Sequence, residues 1–163
     1  MARKVFFSFH YKPDNWRTSQ VRNIGAIEGN KPASDNKWEE VTDGGDEAIQ
    51  KWIDDNMYGR KCTIVLIGEN TAGRKWINYE IKKAWKDGKG VLGIHIHNLK
   101  NSLGEQAKKG NNPFIGISID GTTLSDKIKV YDPPYSTSTY VYDNIKENIS
   151  DWIEKAIEIR NKY

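Results

Sequence analysis

The chain has 163 residues, 37% hydrophobic and 29% charged, with six Trp and eight Tyr. This composition excludes a disordered chain and fits a single domain, residues 1–163, able to bury a full core. The formal net charge of +3 is scattered, so no basic stripe offers itself to nucleic acid, and the single cysteine, Cys62, excludes an internal disulfide.

The opening stretch MARKVFFSFHYKPD holds only three consecutive apolar residues before Ser8. That is too few for a secretory leader, and no later run approaches the ~18 apolar residues of a membrane span. A cytoplasmic protein with no membrane partner is expected. The first strand is predicted over Lys4–Phe9 (KVFFSF). A helix follows, opened by Pro13-Asp14 with Asp14 as its N-cap and carrying Trp16, Val21 and Ile24. The second strand falls either in Ile24–Glu28 or in Trp38–Val41, with GNKPASDN as loop. Asp46 and Glu47 start the next helix, whose stripe is Ile49, Trp52, Ile53 and Met57, ending at Gly59. Cys62–Ile67 (CTIVLI) reads as a strand, Ala72–Trp85 (AGRKWINYEIKKAW) as a helix ending near Gly88, and Val91–Ile96 (VLGIHI) as another strand. These nearly continuous apolar runs suit strands covered on both faces. Asn98–Asn112 is polar, punctuated by glycine and expected to be exposed and mobile. Further strands are predicted in Pro113–Ile119 (PFIGISI) and in Lys127–Tyr131. A final helix over about Tyr142–Arg160 carries Ile145, Ile149, Trp152, Ile153, Ala156 and Ile157 on one face.

Strands alternating with helices imply an α/β fold of three layers, a flavodoxin-like parallel sheet of order 2-1-3-4-5 with helices on both faces. In such sheets ligands bind beyond the carboxyl ends of the strands where the order reverses. Here the reversal lies between the first strand and the Cys62 strand. The bordering loops are His10–Asp14 and Gly68–Lys75, and the second leads into the helix bearing Glu80. At about 100° per residue, Ile77, Ile81, Ala84 and Trp85 form that helix's core stripe, Glu80 lies on its flank, and Trp76 precedes Glu80 by one turn. A carboxylate there is partly desolvated beside an aromatic wall, which suits an acid that stabilises a ligand. The alternative is an exposed Glu80 paired with Lys75 or Lys83.

Several motifs fail on context. Asp43–Glu47 (DGGDE) echoes the GGDEF of diguanylate cyclases, but a helical stripe begins at once where that motif needs a hairpin turn. A response-regulator receiver needs an acceptor Asp at the end of its third strand, and here that place reads Leu66-Ile67-Gly68-Glu69. A flavodoxin needs a Ser/Thr/Gly-rich phosphate loop after the first strand, which HYKPDNW is not. There is no GxGxxG, P-loop or nucleophile elbow. His95 and His97 alternate on one strand with no further ligand in sight, so they read as a satisfied or solvated pair and no metal is expected.

VFFSFHYKPD, CTIVLIGENTAGRKWINYEI and GKGVLGIHIHN, in that order, resemble the bacterial TIR-like domains, and in particular the TIR-type NAD-consuming sensor subunit of Thoeris anti-phage defence systems. The likeness covers Val5–Asn98 and, more loosely, the rest. Phe7-Ser8-Phe9-His10-Tyr11 and Asp14 resemble the aromatic/Ser/Asp segment that ends the first strand of a TIR domain. Trp76-Ile77-Asn78-Tyr79-Glu80 fits the WxxxE pattern that carries the catalytic glutamate. The departure is Gly29–Val41, where a typical TIR has its BB loop, and this leaves the assembly surface open.

The resemblance implies an NAD glycohydrolase or ADP-ribosyl cyclase making a cyclic ADP-ribose-type signal, with NAD as substrate and no separate cofactor. It also implies a phage-derived protein trigger, a downstream effector reached through the nucleotide signal, and possible self-association. Glu80 is then the catalytic acid. Phe9, Tyr11 and Trp76 are stacking faces, and Ser8, His10 and Asp35 are polar contacts to ribose or phosphate. Two other readings stay open: a non-catalytic TIR-like interaction module whose cleft is filled by side chains, and a nucleotide-binding sensor without turnover.

Overall fold

A computed structural model describes residues 3–30 and 41–163. In chain order the elements are β1 (Arg3–Ser8), α1 (Tyr11–Arg22), β2 (Ile27–Gly29), α2 (Gly45–Met57), β3 (Cys62–Ile67), α3 (Lys75–Lys86) and β4 (Gly90–His95), then β5 (Ser118–Ile119), β6 (Thr122–Thr123), α4 (Leu124–Lys127), β7 (Lys129–Tyr131) and α5 (Ser138–Asn161). The sheet has the order β2-β1-β3-β4-β7, parallel throughout. This is the predicted 2-1-3-4-5 pattern with β7 as its fifth strand.

The sheet separates two cores. One face packs Phe7, Ile64, Leu66, Leu92 and Ile94 against α1 and the Ile145, Ile149 and Ile153 stripe of α5. The other packs Phe6, Val65, Ile67 and Val91 against Ile49, Ile53 and Met57 of α2 and Ile77, Ile81, Ala84 and Trp85 of α3. Every residue of β3 and β4 is buried, as a strand with both faces covered requires.

Four local expectations need correction. Asp14 is not a cap: α1 starts at Tyr11 after His10, because Pro13 fits a first turn whose N–H groups have no partner in any case. Asp14 therefore lies one turn inside, buried, with Oδ1 accepting from Arg17 Nη1 at 2.8 Å. The strand predicted over Pro113–Ile119 shrinks to Ser118–Ile119, paired antiparallel with Thr122–Thr123 outside the main sheet. Gly116 interrupts it at φ 86°, and Asp120 and Gly121, at φ 50° and 80°, turn the chain back as a tight hairpin needs. The second strand is Ile27–Gly29; Ile24 closes the end of α1 by donating its N–H to Val21 O, and Val41 is helical. Of the Trp38–Val41 alternative, positions 38–40 lie outside the described residues.

The segment Asn98–Asn112 is largely exposed, as expected, but it is anchored at several points where a mobile loop was expected. Leu99 is fully buried, and Arg17 donates to Leu99 O at 2.7 Å and Glu105 O at 2.9 Å. Lys108 N donates to Glu69 Oε1 and Ala107 N to His97 O. In each of these bonds the segment takes part through its backbone, and side-chain polarity does not reveal them. Among the described residues no helix is long and apolar enough to cross a membrane.

Arg17 is 4% exposed and bridges α1 to this segment. Removing one partner of a buried pair leaves the other uncompensated, at ~3 kcal/mol or more. Arg17→Met is expected to lower the unfolding free energy by about that amount in urea titration. A loss below ~0.5 kcal/mol, the scale of an ordinary surface substitution, would show that the bridge does not hold the segment.

Candidate active site

Beyond the carboxyl ends of β1 and β3 lies a cavity of about 730 Å³, within the ~300–1,000 Å³ of small-molecule sites. Its walls come from the elements that the switch-point rule names. The β1–α1 turn contributes Phe9 and His10 and the start of α1 Tyr11 and Lys12; the loop before α3 contributes Arg74; and α3 contributes Trp76 and Glu80. Trp52 of α2 and Asn30 after β2 also line the cavity.

Glu80 is 7% exposed. Ser8 Oγ, at the end of β1, donates to Glu80 Oε1 at 2.8 Å. The lysines of the alternative reading are engaged elsewhere, Lys75 with Asp46 and Lys83 with Asp87. Glu80 is therefore a buried acid with a neutral partner, not a surface acid in a helical pair. Burial pushes its carboxyl from 4.5 up to about 8, against the smaller opposing pull of the Ser8 hydrogen bond.

The other expected residues divide. Phe9, His10, Tyr11 and Trp76 line the cavity with Glu80. Ser8 does not: it is fully buried behind the carboxylate, so it reaches the cavity only through Glu80. Asp35 lies outside the described residues. The Phe9 and Tyr11 rings sit 6.2 Å apart on one wall. On the other, Trp76 meets Tyr79 edge-on at 5.6 Å and has Lys75 Nζ 4.9 Å above its ring. Tyr79 OH donates to Asp54 Oδ1 at 2.7 Å, tying α3 to α2. His10 Nδ1 is buried without a partner, and burial, helped by the nearby Arg74 charge, lowers the ring's pKa.

Of the lining residues that were not assigned as site residues from the sequence, Asn30, Trp52 and Arg74 bear most on the cavity. Asn30 accepts the Phe7 N–H on its Oδ1 at 2.8 Å and so continues the edge of β2 by side chain; an Asn after a strand-ending Gly is a faint signal. Trp52 reads as core stripe by periodicity, yet it is only partly buried and faces the cavity. Arg74 lies in a quoted loop, with nothing in its spacing to mark it.

Elsewhere, Thr71 Oγ1 accepts the Gly68 N–H at 2.8 Å and shapes the loop before α3. A Cβ on Gly68 would collide with the Asp14 carboxylate, so glycine is required there. His95 and His97 are buried and packed edge-on at 5.7 Å, with Nδ1 of each unpartnered, rather than satisfied or solvated. Among the described residues no three metal-ligating side chains gather.

A 2-1-3-4-5 parallel sheet whose third-strand helix turns a buried glutamate toward the first strand's tip defines a TIR-like domain. Residues 6–101 match the family described as "Thoeris protein ThsB, TIR-like domain". The chain is also 33% identical over 137 residues to "Putative cyclic ADP-D-ribose synthase ThsB1" of Bacillus cereus (strain MSX-D12), an alignment covering 81% of this chain and 71% of that relative. The chain belongs to the Thoeris ThsB TIR-like family.

The raised Glu80 pKa has a consequence for stability. Below about 4.5 the folded and unfolded chains both hold the proton. Between there and about 8 only the folded chain holds it, so stability falls as pH rises through that window, and above it the whole cost of the buried charge remains. Glu80→Gln removes the charge. Its melting temperature at pH 9 is expected to exceed that of the unaltered protein by at least ~5 °C, with the two converging near pH 4. Parallel melting curves across this range would show that Glu80 is not desolvated.

Proposed function

We propose that the protein cleaves the nicotinamide–ribose bond of NAD and makes a cyclic ADP-ribose-type signal in anti-phage defence. The observation that carries this reading is Glu80: a buried acid without a cationic partner among the described residues, on the wall of the switch-point cavity, in a chain of the ThsB family.

One acid suffices because of the leaving group. Ordinary glycosidases need a second carboxyl to protonate the departing oxygen. Nicotinamide in NAD is a cation bound through nitrogen; it takes the bonding pair and leaves neutral, so no proton need be delivered. The electron-poor ribose that remains is oxocarbenium-like, and the ionised Glu80 stabilises it in a water-poor site. Ser8 fixes the carboxylate's rotamer from behind. Phe9, Tyr11 and Trp76 offer aromatic faces to the two heterocycles and exclude water, which matters because cyclisation requires an adenosine-side nucleophile to reach the sugar before water does. His10 and Asp35 are proposed polar contacts to ribose or phosphate, and Lys12 and Arg74 place positive charge at the rim. An interaction module would have this cleft filled; an open cavity favours the enzyme.

A phage-derived protein is proposed as the trigger, an effector that reads the nucleotide as the downstream partner, and self-association as a possible completion of the site. Glu80→Ala is expected to keep the fold and lower nicotinamide release from NAD by at least ~10²-fold, the scale for losing one electrostatic stabiliser. The assay uses extract from infected cells, so that an idle sensor is engaged, with uninfected extract as control. An unchanged rate in the variant would end the assignment.

A further inference from the structure

Proteins bury acids beside cations. This one does so at Asp14, whose Oδ1 is 2.8 Å from Arg17. Glu80 is the exception. Its hydrogen-bond partner is the neutral Ser8 hydroxyl, and among the described residues the groups around it supply no counter-ion. From α2 the cavity receives Trp52 and Ile53, and from the end of β2 it receives Asn30, all uncharged. From the β1–α1 turn comes His10, from the start of α1 Lys12, from the loop before α3 Arg74 and from the start of α3 Lys75. None of these forms an ion pair with Glu80; Lys75 is held by Asp46, and His10 is disfavoured as a cation by burial and by Arg74. A desolvated carboxyl that faces a cavity and lacks an internal cation is completed by a cation from outside.

We infer that the ligand supplies this counter-ion: the oxidised, cationic nicotinamide ring settles against Glu80, and the carboxyl releases its proton to water as it does so. The inference rests on the reading of the cavity as an NAD site and adds selectivity to it. A dinucleotide with a reduced, neutral dihydronicotinamide offers nothing to the carboxylate, leaves Glu80 protonated and binds more weakly. The site thus distinguishes the two redox forms by charge before any bond breaks, and it arms its own acid only when a cleavable substrate is present. No covalent step is involved. The proton leaves the Glu80 carboxyl oxygen for solvent, and the positive charge it carried is replaced by that of the ring.

Of the other buried titratable groups, burial raises the pKa of Asp14 as well, but Asp14 is paired with Arg17 and does not line the cavity. Burial lowers the pKa of His95, His97 and His10, which favours their neutral forms, and the Glu80→Gln titration below separates any proton they exchange from that of Glu80. The Cys62 thiol is pushed up by burial and stays protonated.

The test is calorimetric titration with carba-NAD, whose carbocyclic ring resists cleavage but keeps the pyridinium cation, and with the same analogue reduced at its nicotinamide. Both are run in phosphate and in Tris, on a preparation that cleaves NAD. At pH 7 the oxidised analogue is expected to release about nine-tenths of a proton per site, falling to about one-tenth at pH 9, from a carboxyl with a pKa near 8. It is expected to bind at least ~10-fold tighter than the reduced analogue at pH 7, the scale of one pKa unit of interaction. Glu80→Gln should release no proton and bind the two within about twofold. Equal heats in the two buffers, or proton release that persists in Glu80→Gln, overturns the inference and leaves the NAD reading intact if turnover continues. If no preparation cleaves NAD or binds either analogue, the NAD reading falls and this inference with it.

Discussion

The Ser8–Glu80 hydrogen bond joins the tip of a central strand to the second turn of the helix that follows the next strand over. It depends on every larger feature of the fold. The parallel order places β1 beside β3, and the crossover from β3 lays α3 against the sheet so that Ile77 and Ile81 are buried. Glu80, between them in sequence, is carried to the border of the core. The register pairs Ser8 with Val65, and the hydroxyl then lies 2.8 Å from the carboxyl. A shift of one residue in β1 would turn Ser8 to the opposite face and leave Glu80 with no partner.

Among the described residues two acids are buried, Asp14 and Glu80, and they are treated differently. Asp14 is matched by an arginine that also binds three backbone carbonyls, those of Pro13, Leu99 and Glu105. That arrangement suits structure: it fixes the β1–α1 turn to the segment after β4. Burial raises the pKa of both acids, but at Asp14 an arginine opposes it, whereas Glu80 receives one neutral hydrogen bond and an aromatic neighbour, so its ionised form remains costly. A site that lowers stability to keep a group reactive is a familiar trade between function and stability, and the contrast with Asp14 locates where this fold makes it.

Much of this was legible in the sequence, for identifiable reasons. Cys62–Ile67 is a continuous apolar run because both of its faces are covered, and it was placed to the residue. The core stripe of α3 follows from a 3.6-residue period, and the same period put Glu80 on its edge. Whether that edge was wet could not be read, since the decisive facts are the partners Asp46 and Asp87 that hold Lys75 and Lys83 away, the first of them 29 residues from its lysine. Asp14 was misplaced because local capping rules see an Asp after a Pro but not an Arg17 one turn later that needs a buried partner. PFIGISI failed as a sheet strand because its alternation is equally that of a turn that buries Phe114 and Ile117 and exposes Ile115. Asn30 and Arg74 escaped because a cavity is assembled from segments distant in sequence.

The position of the acid bears on which chemistry it can perform. In water a lone carboxylate would do little for a developing sugar cation, because solvent screens the pair. With most of its surface removed from water, the same charge acts through a medium of much lower effective dielectric. That gain is useless to a reaction whose leaving group must be protonated, since the acid cannot give its proton and remain an anion. It is useful where the leaving group departs with its electron pair and no proton. On the function proposed above, the pairing of one buried glutamate with a cationic, nitrogen-linked leaving group would be a matter of charge balance: the substrate would bring the positive charge that ionises the acid, and the ionised acid would stay beside the sugar as that charge passes to it.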